Sequence, residues 1–149
     1  MYPILLTIHN LIRWAALILG VIALVRALLG WLGKRGWTET DRKFGVYFTS
    51  AMDLQLLIGL LLYLFFSPIT KQVIRDFGAA MGNPGLRFFG MEHAFYMILA
   101  VVFAHLGSVF SKKASEPRSK HLRAAIWFGL SVLLILLGMP WTRPLLPGL

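Results

Sequence analysis

Residues 4–33 read ILLTIHNLIRWAALILGVIALVRALLGWLG, an apolar run broken by only three ionisable side chains, His9, Arg13 and Arg26. A helix that long, rising about 1.5 Å per residue, exceeds the roughly 30 Å of a bilayer's hydrocarbon core. Three more apolar runs follow at 44–66, 88–110 and 124–139, each bounded by charge, proline or glycine. The fold class expected is therefore all-α integral membrane: an up-and-down four-helix transmembrane bundle forming one domain over residues 1–149. Composition agrees, because 58% of residues are hydrophobic and only 14% charged, where soluble domains average about 25% charged. The first run lacks a basic start and a small-residue cleavage site, so it reads as a retained helix and not a secretory signal. The chain has no cysteine, which excludes disulfides, thiolate metal sites and cysteine nucleophiles.

Lysine and arginine set the expected orientation, since cytoplasmic loops of membrane proteins collect them. Lys34, Arg35, Arg42 and Lys43 flank the first connection, and Lys112, Lys113, Arg118, Lys120 and Arg123 flank the third. The opposite side holds Lys71, Arg75, Arg87 and Arg143. Both termini are expected outside. The net charge of +9 is then a topology signal with attraction to anionic lipid headgroups, and nucleic acid is not an expected partner.

In the outer loop Ile69, Val73, Phe77 and Ala80 recur at helical spacing opposite Lys71, Arg75 and Asp76, which predicts a short interfacial helix. Gly82-Asn83-Pro84-Gly85 then breaks it before the third span. Such a helix serves either as a cap on the bundle or as a lid over a ligand. Trp31, Trp37, Trp127 and Trp141 fall near span boundaries as an interfacial belt, whereas Trp14 sits deeper beside Arg13.

His9 and His93 lie about five residues into the first and third spans, hence at one level about 8 Å from the outer end. Those two helices run the same way and face each other diagonally in an up-and-down bundle. Two imidazoles meeting there can fill both axial positions of a haem b. The alternatives are interfacial histidines bonded to backbone or water, and a bare metal, for which a third protein ligand is not evident. Gly59 on the second helix and Ser131 on the fourth leave room for a flat ring. Arg13, one turn below His9, has two readings: anchoring a haem propionate, or pairing with Glu92.

Deeper in the inner half, Arg26, Asp53 and His105 are expected to form one cluster, either as mutual neutralisation or as a proton or quinone site. A second haem at His105 and His121 is disfavoured, because twelve residues separate His93 from His105 and turn the helix by about 120°. His121, beside Lys120 and Arg123, reads as a loop residue.

Several of these stretches together have a counterpart elsewhere: Ile8-His9-Asn10 with Arg13-Trp14, Trp31-Leu32-Gly33-Lys34, Thr40-Asp41-Arg42-Lys43, residues 54–60, Arg87-Phe88-Phe89, Glu92-His93, His105-Leu106-Gly107 and Met139-Pro140-Trp141. Over nearly its whole length the chain resembles small bacterial four-span proteins labelled cytochrome b-like. That resemblance implies haem at the outer histidines and a place in the bacterial cytoplasmic membrane. The combined expectation is a membrane protein binding one haem b and taking part in quinone-linked electron transfer, with no nucleophile–base arrangement that points to a hydrolase or transferase. The competing expectation is a haem-free accessory or structural subunit. Partners expected are the lipid bilayer and either a larger membrane complex or further copies of the chain.

Overall fold

The computed structural model describes residues 1–143, which are built from helices and turns with no strand among them. Helix α1 (Tyr2–Leu32) carries Pro3 in its first turn, where a missing N–H is harmless, and ends where the Gly33 N–H donates to the Leu29 carbonyl. Helix α2 (Glu39–Leu61) starts before its apolar run because Thr38 and Asp41 cap it reciprocally. Asp41 N–H donates to Thr38 Oγ1 at 3.2 Å, and Thr38 N–H donates to Asp41 Oδ2 at 2.9 Å. A wide π turn, Leu62–Phe66, prolongs α2. Three short helices follow, α3 (Pro68–Arg75), α4 (Phe77–Gly82) and α5 (Pro84–Arg87). A second π turn, Phe88–Glu92, leads into α6 (His93–Lys113), and α7 (Pro117–Gly138) completes the described chain.

Joined to their wide turns, four helices are long and apolar enough to cross a membrane: Tyr2–Leu32, Glu39–Phe66, Pro84–Lys113 and Pro117–Gly138. They pack in a ring in which α1 touches α2 and α7, and α6 touches the same two. Helices α1 and α6 are therefore diagonal. Alanines line the seams, with Ala16, Ala23, Ala27, Ala100, Ala104 and Ala124 buried, and such small residues let helix backbones approach closely. Phe48 and Phe128 fill the remaining centre, ring centroids 5.7 Å apart and edge to face. Leucine, isoleucine and phenylalanine cover the outside; Ile18, Leu57, Phe95 and Leu137 are each more than half exposed on four different helices. An apolar exterior around a small-residue core inverts the pattern of a soluble bundle.

The segment between the second and third long helices departs from the single helix expected there. Asp76 leaves the helical conformation and accepts the Ala79 N–H at 3.0 Å, so it ends α3 and caps α4. The restart resets the helical phase. Thr70, Val73 and Ala80 still face inward, but Phe77 points away and Ile69 is only half-buried.

Candidate functional site

His9 on α1 and His93 at the start of α6 meet across the diagonal, with ring centroids 6.3 Å apart and planes at 75°. A backbone carbonyl fixes the His93 ring. The Gly138 carbonyl, one of the acceptors that a helix end leaves unsatisfied, lies 2.7 Å from His93 Nδ1. A carbonyl can only accept, so Nδ1 carries the proton and Nε2 keeps the lone pair. This contact needs Gly138 itself, because a Cβ there would stand 2.6 Å from Met97 Cε and 2.7 Å from Tyr96 Cβ. On the other side, Gln55 Nε2 donates to the His9 carbonyl at 2.9 Å and ties α1 to α2 at this level. Gly59 gives the His9 ring its berth, since a Cβ would lie 3.2 Å from His9 Cε1.

The two rings border a cavity of about 340 Å³ walled mainly by apolar side chains of α1, α2, α3 and α6. Its polar edge includes His9, Arg13, Gln55, His93, Tyr63 and Arg143. Tyr63 and Gly90 lie one in each wide turn, and the Tyr63 hydroxyl donates to the Gly90 carbonyl. Such turns free backbone carbonyls and recur at functional sites.

Arg13 is buried, and among the described residues its Nε and Nη1 have no hydrogen-bond partner. The pairing expected with Glu92 is not made: Glu92 accepts from Arg87 Nε at 2.7 Å, because the wide turn directs it to the loop side. Arg143 lies over the Phe89 ring at 4.2 Å. Two guanidinium groups thus border an apolar cavity that has no carboxylate on its lining among the described residues. Trp14 packs edge-on to Trp141, centroids 6.4 Å apart, and is not on the cavity's lining. Ser131 is fully buried and donates to the Ala100 carbonyl at 2.7 Å, so it seals α7 to α6 and leaves no space for a ring.

The inner polar residues do not form one cluster. Arg26 lies near the end of α1 and its long stem reaches Asp41, with Nε donating to Oδ1 at 2.9 Å. Asp53 pairs instead with His105, Oδ1 to Nε2 at 2.7 Å, and both side chains are about half exposed on the outer surface of α2 and α6. His121 is not a loop residue. Helix α7 already starts at Pro117, so His121 is fully buried on its first turns, its ring tilted against Trp37 with centroids 4.9 Å apart and Nε2 3.2 Å from the Gly36 carbonyl.

Among the described residues no group of three or more His, Asp or Glu side chains gathers as a metal site, and His9 and His93 stand as a pair of rings. Two ring nitrogens each bonding one metal at about 2 Å, with ring centres roughly 1 Å behind them, stand with centroids about 6 Å apart. The observed 6.3 Å suits that separation. The cavity also falls in the range of about 300–1,000 Å³ usual for cofactor pockets, and guanidinium groups on its edge suit a group bearing carboxylates. The residues fit a haem. Gln55, Gly138 and Arg143 escaped the sequence reading of this site: Gln55 had a signal, an amide inside an apolar run, whereas Gly138 acts through its backbone and Arg143 counted only as a tail charge. Comparison of the chain with protein-family models, with curated proteins and with solved structures gives no match.

Proposed function

We propose that this chain is a small membrane cytochrome b-like protein that holds one haem b between His9 and His93 and exchanges electrons with a quinone pool. The carrying observation is the imidazole pair itself, brought to 6.3 Å on diagonal helices beside an apolar cavity. Bound there, haem supplies one-electron redox chemistry within the bilayer. The chain's own part is to orient and exclude. Gly138 holds His93 with its Nε2 lone pair available, Gly59 admits the His9 ring, and Arg13 with Arg143 offers charge to two carboxylates. The apolar wall keeps water away and strengthens every charge interaction inside. A lipid-soluble quinol is the redox partner suited to a centre enclosed by hydrocarbon.

The same proposal places the four long helices across a bacterial cytoplasmic membrane, with the cavity end outside and the nine basic residues of the first and third connections inside. Helices α3 to α5 then cap the outer end at the headgroups. The resemblance to cytochrome b-like proteins supports the assignment. The test is the visible spectrum of detergent-purified protein from haem-replete cells. A strong Soret band with a sharp reduced α band is expected, and His9→Ala and His93→Ala should each abolish it. Colourless wild-type protein would leave a haem-free structural subunit, and a spectrum kept by both variants would overturn the ligand assignment.

A further inference from the structure

Asp53 and His105 take no part in the cavity. They form a 2.7 Å pair on the outward surface of α2 and α6, with side chains 53% and 48% exposed. Around them the same surface is mainly apolar, with Val46 and Leu57 on α2 and Val102 and Val109 on α6. In the membrane setting proposed above, on which this inference rests, that surface faces hydrocarbon. Ionisable residues within membranes almost always face protein or water, because exposing them to lipid is costly. Something must cover this pair.

The pair's own chemistry selects the occupant. Its internal bond uses Nε2 and Oδ1, so each copy presents one further imidazole nitrogen and one further carboxylate oxygen, and neither has a partner among the described residues. With His105 paired to its carboxylate as an imidazolium, the remaining N–H donates and the remaining carboxylate oxygen accepts, and the two stand side by side at one depth on adjacent helices. Two copies inserted in the same direction can be related by a two-fold axis only along the membrane normal. That operation sets α2 of one copy against α6 of the other at equal height, so Asp53 of one copy meets His105 of the second. The surface is self-complementary in the sense that an isologous interface requires.

We infer that the protein dimerises in the membrane through its α2 and α6 faces, with Asp53 and His105 of both copies closing a four-membered hydrogen-bonded ring at the centre of the interface. No other polar group of α2 or α6 need change partner. The cavity between His9 and His93 stays within each copy, so haem binding and dimerisation are separate properties.

The absence of cysteine makes the test clean. Gly36→Cys adds one labelling site at a position where a Cβ meets open space. Donor- and acceptor-labelled protein is reconstituted in phosphatidylcholine and phosphatidylglycerol liposomes, and energy transfer is followed against the protein-to-lipid ratio. Transfer should saturate as for a dimer. Replacing both Asp53 and His105 by leucine removes two interhelical bonds and should weaken association roughly tenfold to a hundredfold. Since both positions are surface-exposed, the doubly substituted protein should keep its helical circular dichroism and its flotation with liposomes. A wild-type protein that stays monomeric at every ratio, or a leucine variant that associates equally well, overturns the proposal while leaving the membrane reading intact. Wild-type protein that fails to float overturns both.

Discussion

Gly138 contributes no side chain, yet it decides the state of His93. Its carbonyl fixes the proton on Nδ1, and it can stand where it does only because no Cβ separates α7 from Tyr96 and Met97. Gly138→Ala forces α7 away from α6. Overpacking of that kind costs about 1–3 kcal/mol, more than the gain of at most about 1 kcal/mol from alanine's better helix propensity. The His93 ring then loses its orienting carbonyl. Groups that orient a metal-ligating histidine typically govern affinity about 10–100-fold, so haem titration of Gly138→Ala should show weakening of that order although no ligand was changed. Unaltered affinity would mean that the Gly138 contact does not position His93. Nothing in the sequence marks this role, because a glycine ending an apolar run looks the same whether or not its carbonyl is used. Gln55 and Arg13 were legible as polar residues in apolar runs, but their partners depend on which way adjacent helices rotate.

At the scale of elements, run length was enough to read the four long helices, and up-and-down connectivity through short loops gave the diagonal placement of the first and third. Less legible were the features that local hydrogen bonds decide: the cap that draws α2 out to Glu39, the break at Asp76 and the two wide turns. Arg26 was assigned the wrong aspartate for the same reason, since Asp41 became available only through that cap. Helix α3 depends on one such local fit. Val73 sits in a notch at Gly90, where an added Cβ would lie 2.7 Å from Val73 Cγ2 and 3.0 Å from Cγ1. Valine is too short and stiff to swing aside, so Gly90→Ala should lift α3 from the cavity that its Ile69 and Thr70 line. Hydrogen–deuterium exchange should quicken over residues 68–75 while α6 stays protected. Unchanged exchange there would show that α3 is held by other contacts, such as the Ser67 cap on Thr70.

For the molecule as a whole, the arrangement of charge turns the proposed bundle into a directed object. Four crossings return the chain to the side on which it began, so Tyr2 and Met139 share the cavity end while the first and third connections share the other. Nine lysines and arginines flank those two connections against four at the cavity end, and a bias of this kind near span ends sets insertion. A cysteine at Gly82 or at Gly36 reads the outcome, because a Cβ at either position meets open space and the chain supplies no other thiol. A membrane-impermeant maleimide applied to intact spheroplasts should label Gly82→Cys at once and Gly36→Cys only after lysis. The opposite pattern would set His9 and His93 near the cytoplasmic face and overturn the proposed orientation. Equal labelling of both before lysis would mean that the helices do not cross the membrane, and the half-exposed Asp53 and His105 would then face water, where such a pair needs no cover.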